Sequence, residues 1–177
     1  MSAAFRAMLC ATALASMAGA AAAAPAGLIG KSVVMSWTET RVQRPAGEVN
    51  WRSVNVSHTL SVYISSAGRV FSKFSATTRR GTGDNEQVSG QGGNRVPSFS
   101  GNTMTIVAAQ QGIARHIAAE FSGDFSTCTA SVIRGKESGA ASGFAKSVIT
   151  GQRIEIQSVT TSGASCSVRA GNVFGGE

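Results

Sequence analysis

Histidine is nearly missing from this chain: His58 and His116 are the only two in 177 residues, and Tyr63 is the single tyrosine. A hydrolase working near neutral pH ordinarily sets a histidine beside a nucleophile and a carboxylate, because imidazole gains and loses its proton there. Neither histidine has that company in the sequence, and no Gly-x-Ser-x-Gly turn singles out a nucleophile among the serines. Helical patterning is also absent beyond residue 24, with no dozen-residue stretch carrying apolar positions at a spacing of three to four. Aromatic residues make up 6% of the chain. That is too few for the two aromatic girdles of an outer-membrane barrel, and Gly175-Gly176-Glu177 is unlike a lipid-facing last strand. These shortages argue against an enzyme, a helical domain and a membrane barrel.

Cysteine is scarce as well, and its placement informs the compartment. Arg6 is followed by an uncharged, alanine-rich run from Met8 to Ala24 and then Pro25. The layout is that of a cleaved signal peptide over residues 1–24, leaving one domain over residues 25–177 for the periplasm or the exterior. Cys10 leaves with the leader, and losing Arg6 lowers the net charge of +7 by one. Cys128 and Cys166 then remain in an oxidising compartment, and a single disulfide is the simplest outcome. Neither a redox Cys-x-x-Cys pair nor a metal-ligand set has the required spacing, and no cofactor is expected.

What the chain does have is alternation. Val54, Val56, His58, Leu60, Val62 and Ile64 share one phase of a period-two run; Ser66-Ala67-Gly68 turns it, and Val70, Ser72, Phe74 and Ala76 continue on the other side. Similar runs occupy Lys31 to Val42, Thr103 to Ala109, Ile113 to Ser122, Ser126 to Arg134, Phe144 to Thr150, Arg153 to Thr161 and Ser165 to Ala170. Ser162-Gly163-Ala164 reads as the turn of a last hairpin, while Gln43 to Ser53 and Arg79 to Ser98 read as long loops. The expected fold is all-β: a single antiparallel barrel or sandwich of eight to nine strands in up-and-down order.

Candidate sites follow from phase. Met35, Trp37, His58, Met104 and Phe121 fall on interior phases, where they either line a ligand cavity or fill a small barrel. His116 falls on the opposite phase of its strand, beside Arg115. In an up-and-down order the two long loops emerge at one end. Arg44, Arg52, Arg79, Arg80 and Arg95 then gather around Trp51 as a binding mouth suited to an anionic or stacking partner. Glu39, Glu120, Asp124 and Glu155 are the carboxylates that only the fold can bring together.

Three local motifs fail on context. Gly30-Lys31-Ser32 has Pro25 where a phosphate loop needs its first glycine. A single copy of Gly81-Thr82-Gly83-Asp84 cannot supply a calcium cage, and the Asn55-Val56-Ser57 sequon lies within a strand.

Through Gly101-Asn102-Thr103-Met104-Thr105, Cys128-Thr129-Ala130, Gly135-Lys136-Glu137 and Cys166-Ser167-Val168 with Gly171-Asn172-Val173-Phe174, the second half resembles short exported proteobacterial proteins with a two-cysteine β-domain. The resemblance implies an all-β fold and export and brings no catalytic residues. The sequence therefore points to a non-enzymatic binding module for an anionic polymer, a lipid or a small apolar ligand. An envelope structural component and a hydrolase are the alternatives. No basic stripe singles out nucleic acid.

Overall fold

Alternation decides which side chains the strands bury, and inter-strand register decides which of them meet. In the computed structural model, which describes residues 23–88, 96–110, 113–136, 143–146 and 150–174, ten strands are formed among the described residues. They are β1 (Lys31–Pro45), β2 (Arg52–Ile64), β3 (Val70–Thr78), β4 (Gly81–Val88), β5 (Ser98–Ser100), β6 (Thr103–Gln110), β7 (Ile113–Phe121), β8 (Cys128–Lys136), β9 (Gly143–Lys146) and β10 (Arg153–Ala170). One antiparallel sheet runs β4-β3-β2-β1-β10-β9 and the other β5-β6-β7-β8.

The strands thus divide between two sheets and form no closed barrel. Up-and-down order holds from β1 to β4 and from β5 to β8, but the chain returns to lay β10 against the outer side of β1. Val33, Met35, Leu60, Val62 and Ile64 of the first sheet share one apolar core with Phe99, Met104, Ile106, Ile117 and Phe121 of the second. Buried at this density, each large side chain contributes about 1.5–3 kcal/mol relative to exposure.

Three expectations about loops are corrected. Gly81 to Val88, expected inside a structureless connection, is the strand β4. Its glycines suggest a loop, yet cross-strand partners override intrinsic preference: the Thr77 and Thr82 hydroxyls meet at 2.9 Å and Lys73 pairs with Asp84 at 3.2 Å. Of that stretch, Arg79 and Arg80 form the tight turn before β4, and residues 89–95 lie outside the described residues. The Gln43 to Ser53 loop is also shorter than expected, because β1 runs on to Pro45 by pairing with Ile154 of β10. Ser162-Gly163-Ala164 is no hairpin turn. β10 passes straight through it, and the pairing steps from Ser36 with Ser165 to Thr38 with Ser162, one residue extra on β10. Gly163, at φ 64°, supplies the left-handed residue of this β-bulge.

The expected bridge is present. Cys128 on β8 and Cys166 on β10 are disulfide-bonded, with Cα atoms 5.4 Å apart and 38 residues between them in sequence. It ties the edge strand of the four-stranded sheet to the next-to-last strand of the six-stranded one. The Thr161 hydroxyl adds a second tie, donating to the Val132 carbonyl at 2.9 Å.

Candidate binding site between the sheets

Beyond the apolar residues of β1, the same inward phase continues into Glu39 and Arg41, which are buried. His58 lies opposite Trp37 on β2, and Arg115 projects from β7 of the other sheet. Glu39 is fully buried and collects them. Its Oε2 accepts from Arg41 Nε at 2.8 Å and Nη2 at 2.6 Å, and its Oε1 accepts from Arg115 Nε at 2.7 Å and Trp37 Nε1 at 3.4 Å. The Glu39–Arg115 pair is therefore an ionic link between the sheets.

Aromatic rings wall the cluster. The His58 ring stacks between Trp37, at 5.3 Å, and Phe74, at 5.1 Å. The Arg115 guanidinium lies 5.3 Å from the centre of the Phe74 ring and 5.9 Å from that of Trp37, a cation–π arrangement.

Protonation follows from this packing. Burial alone raises the Glu39 carboxyl, but the His58 hydrogen bond and the guanidinium groups of Arg115 and Arg41 outweigh it and hold Glu39 well below the usual carboxylate range. Burial lowers His58 to about 4, against the pull of Glu39 and with the help of the two arginines. Burial also lowers Arg41, opposed by Glu39. At neutral pH the imidazole is therefore neutral and the carboxylate charged.

Two features of the cluster are left unmatched. His58 Nε2 sits 2.8 Å from Arg41 Nη2 and 3.2 Å from Glu39 Oε2. One neutral nitrogen serves a single role: it accepts from Arg41 with the hydrogen on Nδ1, or it donates to Glu39 with Nδ1 bare. In either tautomer the buried Nδ1 has no partner among the described residues. The terminal nitrogens of Arg115 and Nη1 of Arg41 donate to no described group, but they are not enclosed as Nδ1 is: the two side chains are 10% and 11% exposed. Charge is the second feature, because two guanidinium groups face one carboxylate and a neutral imidazole. An uncompensated charge in such surroundings costs several kcal/mol.

The residues expected in the interior are there. Met35 and Met104 are fully buried, and Trp37, His58 and Phe121 nearly so. Trp37 and His58 belong to the cluster, whereas Met35, Met104 and Phe121 belong to the apolar core. Glu39 is one of the four carboxylates the sequence offers, but it meets two arginines and not another carboxylate; Arg41 and Arg115 are not singled out by the sequence as site residues. Their signal was the phase they share with Val33, Met35 and Trp37 or with Ile117, Ala119 and Phe121.

The expected mouth is divided. Arg44 stacks over Trp51 at 4.5 Å and pairs with Glu155 at 2.7 Å, and Arg52 pairs with Glu48 at 3.0 Å. β3 pairs with β2 only as far as Thr77 opposite Ser57. The exposed turn at Arg79 and Arg80 therefore lies beside Asn55, set back roughly 13 Å along β2 from Trp51. Arg95 lies outside the described residues. His116 is exposed, between Val107 and Ile133 across the strands. Asp124 is lowered to about 2 by hydrogen bonds from Ser122 and Ser126 within one turn. No cluster of three or more metal-ligating side chains occurs among the described residues, and no helix among them is long and apolar enough to cross a membrane.

Comparison with known proteins brought no family model, no curated relative and no solved structure that matches the chain.

Proposed function

We propose that this protein is an exported, non-enzymatic binding module whose interior takes a small monoanion with an apolar body, a carboxylate being the simplest example. The observation that carries the reading is the buried His58 Nδ1 without a described partner, in a ring stacked between Trp37 and Phe74 and beside the guanidinium groups of Arg41 and Arg115. A carboxylate neutralises the surplus guanidinium charge and accepts from the free fork of Arg115. With Nε2 of His58 accepting from Arg41, Nδ1 carries a hydrogen and donates to the same guest. The aromatic walls suit its apolar part. Export is supported by the leader-like residues 1–24 and by the disulfide.

A second reading, an envelope component with a purely structural interior, is favoured by the saturation of Glu39, which already joins the sheets through Arg115. The two readings separate in a titration of periplasmically produced protein with formate, acetate, benzoate and phosphate, followed by calorimetry. The binding reading expects benzoate to bind more tightly than formate. It also expects Arg115→Lys, which keeps the charge and removes the fork, to lose that binding with little change in melting temperature. No heat from any of the four anions supports the structural reading instead.

A further inference from the structure

The outward face of the six-stranded sheet carries a different chemistry from its buried face. Register places Ser162, Thr38, Ser57, Thr77 and Thr82 in one row across β10, β1, β2, β3 and β4, and Ser165, Ser36, Thr59, Ser75 and Asp84 in the next. Thr160, Thr40 and Asn55 begin a third. Every position in the first two rows carries a hydroxyl except Asp84, at the edge, whose charge is paired with Lys73. Ser57, Thr77, Thr82 and Ser162 are exposed, and Ser36, Thr38, Thr59 and Ser75 half-buried. Strand spacing makes this grid roughly 19 Å wide with rows roughly 7 Å apart.

The hydroxyls are largely uncommitted. The Thr77–Thr82 and Thr40–Asn55 contacts, and a Ser75–Asp84 bond, are made within the grid. Ser36, Thr38, Ser57, Thr59, Ser162 and Ser165 make no side-chain hydrogen bond to the described residues. Each hydroxyl both donates and accepts.

We infer that this face is a docking surface for a neutral polysaccharide. Charge complementarity selects the partner: the two central rows hold no unpaired cation for an anionic polymer, since Lys73 is held by Asp84 and the exposed Arg79 and Arg80 lie past their end beside Asn55. The rows hold no large apolar or aromatic side chain for a lipid surface or a protein hot spot. A polyol matches what is present, bifunctional hydroxyls at a regular pitch. Single hydroxyl pairs are weak in water, and many together on one rigid face give avidity for an insoluble polymer over a soluble sugar. This surface is separate from the site between the sheets, on the opposite side of the same strands.

The test is co-sedimentation of the full exported chain with amorphous cellulose, chitin and, as the anionic arm, cross-linked pectate. The parent is expected to be retained by at least one neutral polymer, independently of salt and without competition from glucose. Ser57→Lys with Thr77→Lys is expected to weaken retention by about tenfold or more, since it carries unpaired ammonium groups into a neutral contact. Ser57→Thr with Thr77→Ser keeps the hydroxyls and is expected to bind as the parent does. Melting temperatures for both variants verify folding. Absence of retention on both neutral polymers, equal retention of the Lys variant, or salt-sensitive retention on pectate alone overturns the inference.

Discussion

The two ends of the interior are built from the same strands and the same phases, and they obey different physics. At one end Val33 and Met35 of β1 meet Leu60 and Val62 of β2, opposed by Met104 and Phe121. At the other end β1 continues into Glu39 and Arg41, β2 into His58 and β7 into Arg115. Apolar burial is non-directional and tolerates repacking. The ionic end depends on partners at fixed distances and leaves donors over. Such a site is costly for stability alone, and hydrophobic replacement of buried ion pairs is often neutral or stabilising. On the binding reading proposed above, the ionic end serves the ligand and the apolar end serves folding.

The sharpest way to break this comparison is to remove the carboxylate. Glu39→Ala leaves two guanidinium groups unpaired and is expected to cost about 3–5 kcal/mol. Met35→Ala, at the apolar end, is expected to cost about 2–5 kcal/mol by opening a cavity. Size alone does not separate them, but rescue does. Formate should restore part of the lost urea midpoint in Glu39→Ala and none in Met35→Ala; equal responses would erase the distinction.

The bridge is next in magnitude. Reduction, or Cys128→Ala with Cys166→Ala, is expected to cost about 4 kcal/mol for a bridge of this span in the chain-entropy model. Because it links β8 to β10, hydrogen exchange should then rise first along β8 (Cys128–Lys136). Intact mass with and without reductant confirms the starting state.

Acid should act at the ionic end. Unfolded, His58 takes up a proton near its ordinary value of 6.5, and folded only near 4. Between those values the unfolded state holds the extra proton, so stability falls as pH falls, by about 3 kcal/mol from this group. The depressed Glu39 carboxyl works in the same direction: its contribution is complete above its ordinary 4.5 and drains away as pH drops below that. Urea midpoints taken from pH 7 to 4 should show the slope, and His58→Phe should flatten it above pH 4.5. An unaltered slope in that variant would assign the acid sensitivity to other groups. The smallest effect belongs to the hairpin tip: Arg52→Ala removes an exposed pair with Glu48 and should change stability by less than about 1 kcal/mol.

Much of this architecture is legible in the sequence because a period of two survives nearly everywhere. The inward direction of Met35, Trp37 and His58 follows from phase, and the meeting of Cys128 with Cys166 from their being the two cysteines beyond residue 24. β4 was hidden because Gly81 and Gly83 have no side-chain preference for a strand, and only β3 supplies one. Gly163 reads equally as a turn or a bulge until β1 is seen running opposite it. The ionic end was hidden for another reason. Charged residues at Glu39, Arg41 and Arg115 break the hydrophobic pattern, and only the packing of β7 over β1 shows that they satisfy one another.

The most direct test of the central claim is nitrogen NMR of the His58 ring with and without benzoate. The account predicts a neutral ring that titrates near 4 in the free protein and carries its hydrogen on Nδ1 once benzoate is bound. Benzoate should shift the Nδ1 signal and raise that titration, because a carboxylate beside the ring favours its charged form. Arg115→Lys should abolish both responses. A His58 ring that neither shifts nor titrates differently in saturating benzoate, in a protein whose fold is intact, would contradict the claim that this cluster is a binding site.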